Sequence, residues 1–201
     1  MVVDGIYYAV ALSAGGALVW YLTQPAFSAP LFVLAAFCLY FFRDPDRVIP
    51  EGPVAVSPAD GKVVGIVGDG AECTRVSIFL NIFDVHVNRS PIGGKISGVE
   101  YHKGQFLVAS REVASTQNER NAVTVAGVGT SVRFVQIAGL IARRIVFNKK
   151  TGDQVAAGER VGLIKFGSRV DVFLGPEWEI QVKTGDRVSG GSSILAHRRQ
   201  A

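Results

Sequence analysis

The chain has 201 residues, of which 48% are hydrophobic, and its 21 lysines and arginines outnumber its 17 aspartates and glutamates. This length allows one medium domain with an appendage. The basic balance suits an anionic membrane surface. No DNA- or RNA-binding motif accompanies it, so the sequence argues against nucleic acid as a partner. Charged residues are scarce because none occurs between Asp4 and Arg43.

That uncharged segment contains two apolar stretches, Gly5–Leu22 and Ala29–Phe42, joined by a short link that contains Pro25. A membrane-spanning helix needs about 20 apolar residues, with about 17 near the lower limit. The first stretch meets this length, and the second meets it only if it begins near Pro25. We therefore predict that residues 1–43 form an α-helical hairpin that associates with a membrane, either across the bilayer or within its surface. A signal peptide fits poorly, since no basic region precedes the apolar stretch.

Basic residues follow the second apolar stretch directly, at Arg43 and Arg47. The cytoplasmic flanks of membrane helices are enriched in lysine and arginine. We therefore expect the second domain, residues 44–201, to lie on the cytoplasmic face of the cell membrane.

From Val48 onward the sequence predicts a mainly β domain, because short β-branched or alternating runs follow one another between Gly, Asp and Pro turns. A compact β-barrel or β-sandwich is the natural architecture for this pattern. One short helix is predicted around Gly139–Arg144. The predicted strands are Gly61–Val67, Cys73–Leu80, Gly94–Tyr101, Ala122–Ala126, Val132–Ala138, Val161–Lys165, Arg169–Leu174 and Glu179–Lys183.

The β pattern contains a weak internal repeat, since T-G-D-x-V followed by a glycine turn occurs in residues 149–164 and again in residues 180–196. In such a turn glycine supplies the positive φ and aspartate caps the backbone. This cadence is typical of the barrel-sandwich hybrid of biotinyl and lipoyl domains, so it predicts elements of that kind. It indicates fold more than function.

His86 is the first candidate for chemistry, since it lies two residues after Asp84 in N-I-F-D-V-H-V-N-R-S-P. Residues at this spacing share a face of a strand, where a carboxylate could orient an imidazole. A surface histidine in a strand fits the same spacing. Of the other two histidines, His102 is expected at a strand end and His197 in the C-terminal tail.

Three further segments carry polar residues that fit ordinary structure as well as function. Asp60 in S-P-A-D-G-K fits a β-turn. Residues 118–121, N-E-R-N, fit a polar loop or a loop that contacts a polar ligand. The segment K-F-G-S-R-V-D-V-F reads as a strand that contains Gly167 and Ser168, although glycine in a strand usually marks a bulge or a close backbone approach.

The two cysteines, Cys38 and Cys73, have neither a C-x-x-C partner nor nearby histidines. The sequence therefore predicts no disulfide and no metal site. It also lacks a G-x-S-x-G motif and a phosphate-binding loop.

Seven motifs in one order give the sequence a family resemblance. They are F-F-R-D-P-D-R, S-P-A-D-G-K-V, F-L-N-I-F-D-V-H-V-N-R-S-P, Y-H-K-G-Q-F, N-E-R-N, V-Q-I-A-G and F-G-S-R-V-D-V-F. With these motifs, from about Phe41 to Lys183, the chain closely resembles the phosphatidylserine decarboxylases in their short, archaeal-type form. Any one motif is weak, whereas seven in register are specific.

The resemblance implies a zymogen that cuts itself between Gly167 and Ser168. By analogy, the Ser168 hydroxyl attacks the Gly167 carbonyl, the peptide becomes an ester, and elimination breaks the chain. The products are a β chain, 1–167, and an α chain, 168–201, whose first residue is a pyruvoyl group. This covalent pyruvate cofactor would form a Schiff base with the amine of phosphatidylserine and serve as the electron sink for decarboxylation to phosphatidylethanolamine.

The resemblance also implies roles for other residues. Asp60 matches the aspartate of the family's P-A-D-G segment, a partner in self-cleavage. His86 matches the first histidine of the D-x-H segment, a candidate either for handling the substrate carboxylate or for protonating the carbanion. Longer bacterial members carry a second histidine where this chain has Arg89, so the base for self-cleavage is left open among His86, His102 and Asp60. Arg89 suits a head-group phosphate or carboxylate, and His102 is grouped with it as a substrate-binding candidate.

The implied partners are phosphatidylserine, the lipid bilayer and the two chains of one precursor, and a homo-oligomer is left open. A different reading is a non-catalytic, membrane-anchored carrier or adaptor of biotinyl or lipoyl type. It would need a modifiable lysine, and Lys150 and Lys183 lack the usual M-K-M or D-K-A setting. A pyruvoyl decarboxylase of a soluble amino acid fits the membrane segment poorly.

Overall fold

The computed structural model describes residues 2–68, 72–109, 112–140, 144–165 and 167–199. The chain divides into two compact units, Met1–Asp46 and Arg47–Ala201. The first unit is helical and the second contains the strands. The mainly β fold and the N-terminal helical hairpin that the sequence predicts are therefore confirmed.

The first unit is a hairpin of helix α1, Val3–Leu22, and helix α2, Pro25–Phe41. Proline is tolerated at the first position of a helix, because the amide that it lacks has no partner there, so Pro25 is a natural start for α2. Gly16 lets the helices approach each other, since a Cβ there would lie 3.1 Å from the ring of Phe32. Among the described residues, α1 is the one helix long and apolar enough to cross a membrane.

In its described residues the second unit contains fourteen strands and one short helix, α3, Ala114–Gln117. One sheet has eight strands in the order β13-β2-β3-β11-β7-β6-β5-β9, and two smaller sheets have the orders β1-β14-β12 and β4-β10-β8. The strands are β1 Val54–Val56, β2 Gly61–Val67, β3 Thr74–Leu80, β4 Val87–Arg89, β5 Gly94–His102, β6 Arg120–Gly127, β7 Thr130–Ile137, β8 Ile145–Phe147, β9 Gln154–Val155, β10 Arg160–Ile164, β11 Ser168–Leu174, β12 Trp178–Ile180, β13 Arg187–Val188 and β14 Ile194–Arg198.

Strand β11 lies inside the eight-stranded sheet and pairs antiparallel with both β3 and β7. Alternate residues of a strand point to opposite faces. Val170, Val172 and Leu174 share one face, and all three are fully buried in the main hydrophobic core. Ser168 belongs to the same alternate set, so its side chain points to the core face of the sheet.

The opposite face of β11 is also covered. Arg169 Nε donates to Asp171 Oδ1 at 2.6 Å, and Arg169 Nη2 donates to Ser77 Oγ at 2.7 Å. From α3, the hydroxyl of Ser115 donates to Asp171 Oδ2 at 3.0 Å. Strand β11 is therefore packed on both faces, and this packing fixes the position of its first residue, Ser168.

Several local expectations differ from the structure. The predicted strand Glu179–Lys183 ends at Ile180, since β12 is Trp178–Ile180 and residues 181–183 are not in a strand. His86 lies in the loop between β3 and β4, not in a strand, because the preceding residues form a hydrogen-bonded turn. No helix includes Gly139, Leu140 or Arg144, and residues 141–143 of that predicted helix lie outside the described residues. The short helix α3 was not predicted.

Candidate functional site

Ser168 is fully buried at the start of β11, where it pairs with Leu80 of β3. Its Oγ has no hydrogen-bond partner among the described residues. A buried hydroxyl without a partner is uncommon in proteins, since leaving it unpaired costs free energy. The Ser168 hydroxyl is therefore available to a reacting group.

Gly167 precedes this serine with a φ of +58°. This value lies in the left-handed region of backbone conformation, which favours glycine. A Cβ on Gly167 would meet no heavy atom within 4 Å, so conformation and not space requires glycine here. The Gly-Ser pair that looks out of place in the sequence is a left-handed turn residue followed by the first residue of a strand.

The carbonyl oxygen of Gly167 packs against the backbone of Gly139. A Cβ on Gly139 would lie 2.0 Å from that oxygen and 3.3 Å from the Cβ of Ala109. A carbon atom cannot lie 2.0 Å from an oxygen to which it is not bonded. The Gly167 carbonyl can therefore occupy this position only because residue 139 is a glycine and has no Cβ. Sequence reasoning used the V-Q-I-A-G motif only for the family resemblance and missed this residue.

His86 is buried beside the Gly167 peptide. Its Nδ1 lies 2.9 Å from the carbonyl oxygen of Asp84, and a carbonyl accepts only, so Nδ1 carries the proton in the neutral ring. Nε2 then holds a lone pair, and it accepts a hydrogen bond from the Gly167 N–H at 3.3 Å. The Gly167 N–H belongs to the peptide bond one residue before the Gly167–Ser168 bond, so the histidine places a basic nitrogen next to that bond and not on it.

Asp84 orients His86, as the sequence suggests, but through its backbone carbonyl. Its carboxylate has other partners, since Oδ2 accepts from the Asn81 N–H at 2.8 Å and Oδ1 accepts from Arg187 Nη1 at 2.8 Å. The Asn81 side chain closes the same turn by accepting from the Phe83 N–H at 2.7 Å. This turn fixes the carbonyl that sets the His86 tautomer.

Asp60 lies at the entrance to β2, two strands away from β11 in the sheet order, which corresponds to about 10 Å at ordinary strand spacing. Its carboxylate accepts from Arg47 Nη2 at 2.8 Å and from the Gly190 N–H at 2.7 Å. These bonds tie Asp60 to the turn before β14. A role for Asp60 in self-cleavage stays a prediction.

Arg89 is the last residue of β4, whereas His86 lies in the loop that precedes this strand. It is 5% exposed, and its Nη1 donates to the Gly158 carbonyl at 3.0 Å. It borders a cavity of about 460 Å³ that is also lined by Ile49 and residues 156–160. Binding of a head group by Arg89 stays a prediction.

His102 ends β5, three strands from β11, or about 14 Å at ordinary strand spacing. Its side chain is 43% exposed, and its Nε2 lies 3.7 Å from Glu100 Oε2. The structure thus brings Gly167, Ser168 and His86 together, whereas His102 lies at the end of β5 and Asp60 lies just before β2.

Asn118 of the N-E-R-N segment is fully buried and fully bonded. Its Oδ1 accepts from the Leu107 N–H at 2.9 Å, and its Nδ2 donates to the Leu107 and Ala138 carbonyls at 2.8 and 2.7 Å. These bonds hold the backbone next to Gly139. The first of the two readings, an ordinary polar loop, describes Asn118 better than contact with a ligand.

The carboxylate of Glu112 extends the packing on the outer face of β11. It accepts from Arg75 Nη2 and, at 3.3 Å, from Arg169 Nη2. Burial alone raises the pKa of Glu112, but the hydrogen bond from Arg75 and the charge of Arg169 outweigh it and hold the pKa below its usual value. Glu112 is therefore a charged support for β11 at neutral pH.

The chain matches known proteins over most of its length. A family model described as Phosphatidylserine decarboxylase matches residues 34–196. The chain is 68% identical over 198 residues to a phosphatidylserine decarboxylase proenzyme of Solibacter usitatus, covering 98% of this chain and 97% of the relative. Proenzymes of the same name from Oleidesulfovibrio alaskensis and Saccharopolyspora erythraea are 44% and 46% identical. These two matches cover 95% and 84% of this chain, and 91% and 76% of the respective relatives.

Proposed function

This chain belongs to the phosphatidylserine decarboxylase family, and we propose that it cleaves itself between Gly167 and Ser168 and then converts phosphatidylserine to phosphatidylethanolamine. One observation carries the proposal. The Ser168 Oγ is buried, has no partner among the described residues and directly follows the Gly167 carbonyl. The names of the relatives support both the substrate and the processing of a precursor.

In self-cleavage the Ser168 Oγ attacks the carbonyl carbon of Gly167. An ester forms, and the Ser168 nitrogen leaves as an amine. The position of His86 supports this step, since its Nε2 lone pair lies at the adjoining peptide and can move a proton from the hydroxyl to the leaving nitrogen. The close packing of Gly139 on the carbonyl oxygen supports it by fixing the group that is attacked.

Elimination then removes the Cα proton of residue 168 and breaks its Cβ–Oγ bond, so that Gly167 ends as a carboxylate. Addition of one water and loss of ammonia leave a pyruvoyl group at position 168. The products are a β chain, 1–167, and an α chain, 168–201. Strand pairing supports their association, since β11 lies between β3 and β7, and β13 and β14 pair with β2 and β1.

The surroundings of residue 168 fit this group, since the serine from which it derives is fully buried and its Oγ forms no bond that would be lost. A pyruvoyl group supplies a carbonyl that takes up the electron pair released when carbon dioxide leaves. The packed core face excludes water from this position. His86 Nε2 lies at the N–H of the preceding residue, Gly167, and once it has taken up a proton it can donate that proton to the carbon that loses the carboxylate.

We further propose that the protein resides in the cell membrane with the Arg47–Ala201 unit on the cytoplasmic face. The length and apolar character of α1 support membrane association. The positions of Arg43 and Arg47 after α2 support the orientation. A substrate with two acyl chains remains in the bilayer, so an enzyme that acts on it benefits from residence there.

Intact mass under denaturing conditions tests this function. The wild-type protein should give two chains, one of them residues 168–201 with a pyruvoyl group in place of its first residue, and should release carbon dioxide from phosphatidylserine vesicles. Ser168→Ala should give a single inactive chain, whereas Ser97→Ala, at an exposed position of β5, should mature normally. A wild-type protein that remains a single chain would overturn the proposal.

A further inference from the structure

Three buried carboxamides form a chain of hydrogen bonds inside the second unit. Asn121 Nδ2 donates to Gln136 Oε1 at 3.0 Å, and Gln136 Nε2 donates to Asn88 Oδ1 at 2.9 Å. The three side chains are at most 2% exposed. Each amide uses its oxygen or nitrogen to orient the next, so the chain runs in one direction from Asn121 to Asn88.

This series of hydrogen-bonded carboxamides ends at Asn88, in a donor that has no acceptor. Asn88 Nδ2 is buried and forms no hydrogen bond within the described residues. Its Oδ1 is already occupied by Gln136, so the two protons on Nδ2 face a position where an acceptor is missing. Buried polar groups are nearly always paired, and an exception calls for an explanation such as a ligand.

The hydrogen bond from Gln136 links Asn88 to the face of the sheet that carries Ser168. Gln136 pairs directly with Val170 across β7 and β11, and Ser168 is two residues from Val170 on the same face, about 7 Å along the strand. His86 is likewise two residues from Asn88. Of the three buried side-chain atoms without a partner in the described residues, two are Asn88 Nδ2 and Ser168 Oγ.

We propose that Asn88 Nδ2 binds the carboxylate of the substrate's serine head group. The inference rests on the proposed function. In that substrate the carboxylate and the amine are attached to the same carbon, so an amine that reaches residue 168 brings the carboxylate into the space beside it. A carboxylate oxygen accepts from an amide N–H, and Asn88 offers an unused one there.

The chemistry favours an amide in this place over a cation. The carboxylate loses its charge as carbon dioxide forms, and a guanidinium would stabilise the charged ground state more than the transition state. A neutral amide orients the group with less of this penalty. Arg89, the cation that the sequence offers for this role, lies on the opposite face of β4 and donates to Gly158.

Two soluble head groups test the assignment on matured, full-length protein in detergent. Both carry a hydroxyl in place of the amine, so neither is turned over: glycerophosphoglycerate keeps the carboxylate, and glycerophospho-ethylene glycol lacks it. Calorimetry should show that the wild-type protein prefers the carboxylate form. Asn88→Ala and Asn88→Asp should each lose at least about tenfold of that preference, since one bidentate or charge-assisted contact is removed, while binding of the carboxylate-free form stays unchanged.

Asn148→Asp is the matched control, because Asn148 is exposed at the end of β8, and it should keep the wild-type preference. The assignment is wrong if Asn88→Ala also keeps it, or if the wild-type protein binds both head groups equally. It is also wrong if both Asn88 variants fold but fail to mature, since Asn88 would then serve self-cleavage. Loss of wild-type maturation or vesicle turnover would instead count against the proposed function itself.

Discussion

At position 139 the absence of a side chain sets the geometry of the proposed cleavage site. The Gly167 oxygen occupies the space that a Cβ of residue 139 would need, at a separation of 2.0 Å. The backbones of Gly139 and Gly167 cannot move apart easily, because Gly139 follows strand β7 and Gly167 precedes strand β11. The carbonyl that Ser168 is proposed to attack is thus positioned by contact with Gly139.

Gly139→Ala should therefore slow self-cleavage by about 100-fold, since a displacement of roughly 1 Å at a reacting centre has effects of this size. The fraction of cleaved chain is followed on a denaturing gel after cell-free synthesis. Gly98→Ala is the control, because a Cβ at Gly98 would meet nothing within 4 Å. Cleavage of Gly139→Ala at the wild-type rate would show that the contact is not needed.

A comparison of two histidines tests His86 as the base for the proposed self-cleavage, and normal cleavage in both variants would favour Asp60, the third candidate. His86 places Nε2 at 3.3 Å from the Gly167 nitrogen, whereas His102 lies at the end of β5. His86→Gln should slow cleavage by about 10²–10⁴-fold, the usual contribution of a general acid–base group. His102→Gln should cleave normally in the same time course. The assignment to His86 fails if His102→Gln is the variant that stays uncleaved.

The sequence predicts some residues of the candidate site and not others. Gly167, Ser168 and His86 follow from local motifs and the family resemblance. Gly139 and Asn88 could not be assigned in this way, because their roles depend on contacts with residues 28 and 48 positions away, Gly167 and Gln136. A glycine after a strand and an asparagine in a strand carry no local signal of such contacts.

At the scale of elements, strand β11 carries the proposed cleavage residue Ser168 at its first position and is packed on both faces. Its core face carries Ser168 in line with Val170 and Val172, and its outer face carries Arg169 and Asp171 in a buried polar network. Polar and apolar residues alternate from Arg169 to Val172, but buried and exposed residues do not, because both faces of the strand are covered. Pairing with β3 and β7 holds residue 168 before cleavage and would hold it afterwards.

Most strands of five or more residues were predicted, and most of the shorter elements were not. Strands β2, β3, β5, β6, β7, β10 and β11 overlap predicted runs of alternating or β-branched residues, whereas β14, Ile194–Arg198, was not predicted. Strands of two or three residues, such as β9 and β13, are too short for any pattern. Helix α3 also escaped prediction, since four residues give barely one helical turn.

At the scale of the whole molecule, the first unit is distinguished by the apolar side chains that it exposes. The unit Met1–Asp46 exposes large apolar side chains such as Tyr7, Val10, Leu18 and Trp20 along α1. A helix of this length that displays apolar groups outward is suited to lipid. The sequence predicted this helix well, because absence of charge over a long run is a local property.

Lysines on α1 test whether this helix enters the hydrocarbon. Val10 and Leu18 are 62% and 58% exposed, and each lysine placed at the bilayer centre costs about 3 kcal/mol. The double variant Val10→Lys, Leu18→Lys should therefore shift from the membrane pellet to the supernatant after an alkaline wash. Its turnover of phosphatidylserine in vesicles should fall, while turnover of soluble glycerophosphoserine should not, because the residues around Ser168 are unchanged.

A control variant with a lysine outside α1 tests whether added positive charge alone releases the protein from the membrane. Val128 is 92% exposed in the turn between β6 and β7, so Val128→Lys adds a charge without touching α1 and should leave the protein in the membrane fraction. If the double variant also stays in the pellet and keeps its vesicle activity, α1 does not enter the hydrocarbon. Equal loss of vesicle and soluble turnover would mean that the lysines act on the folding of the protein and not on its access to lipid.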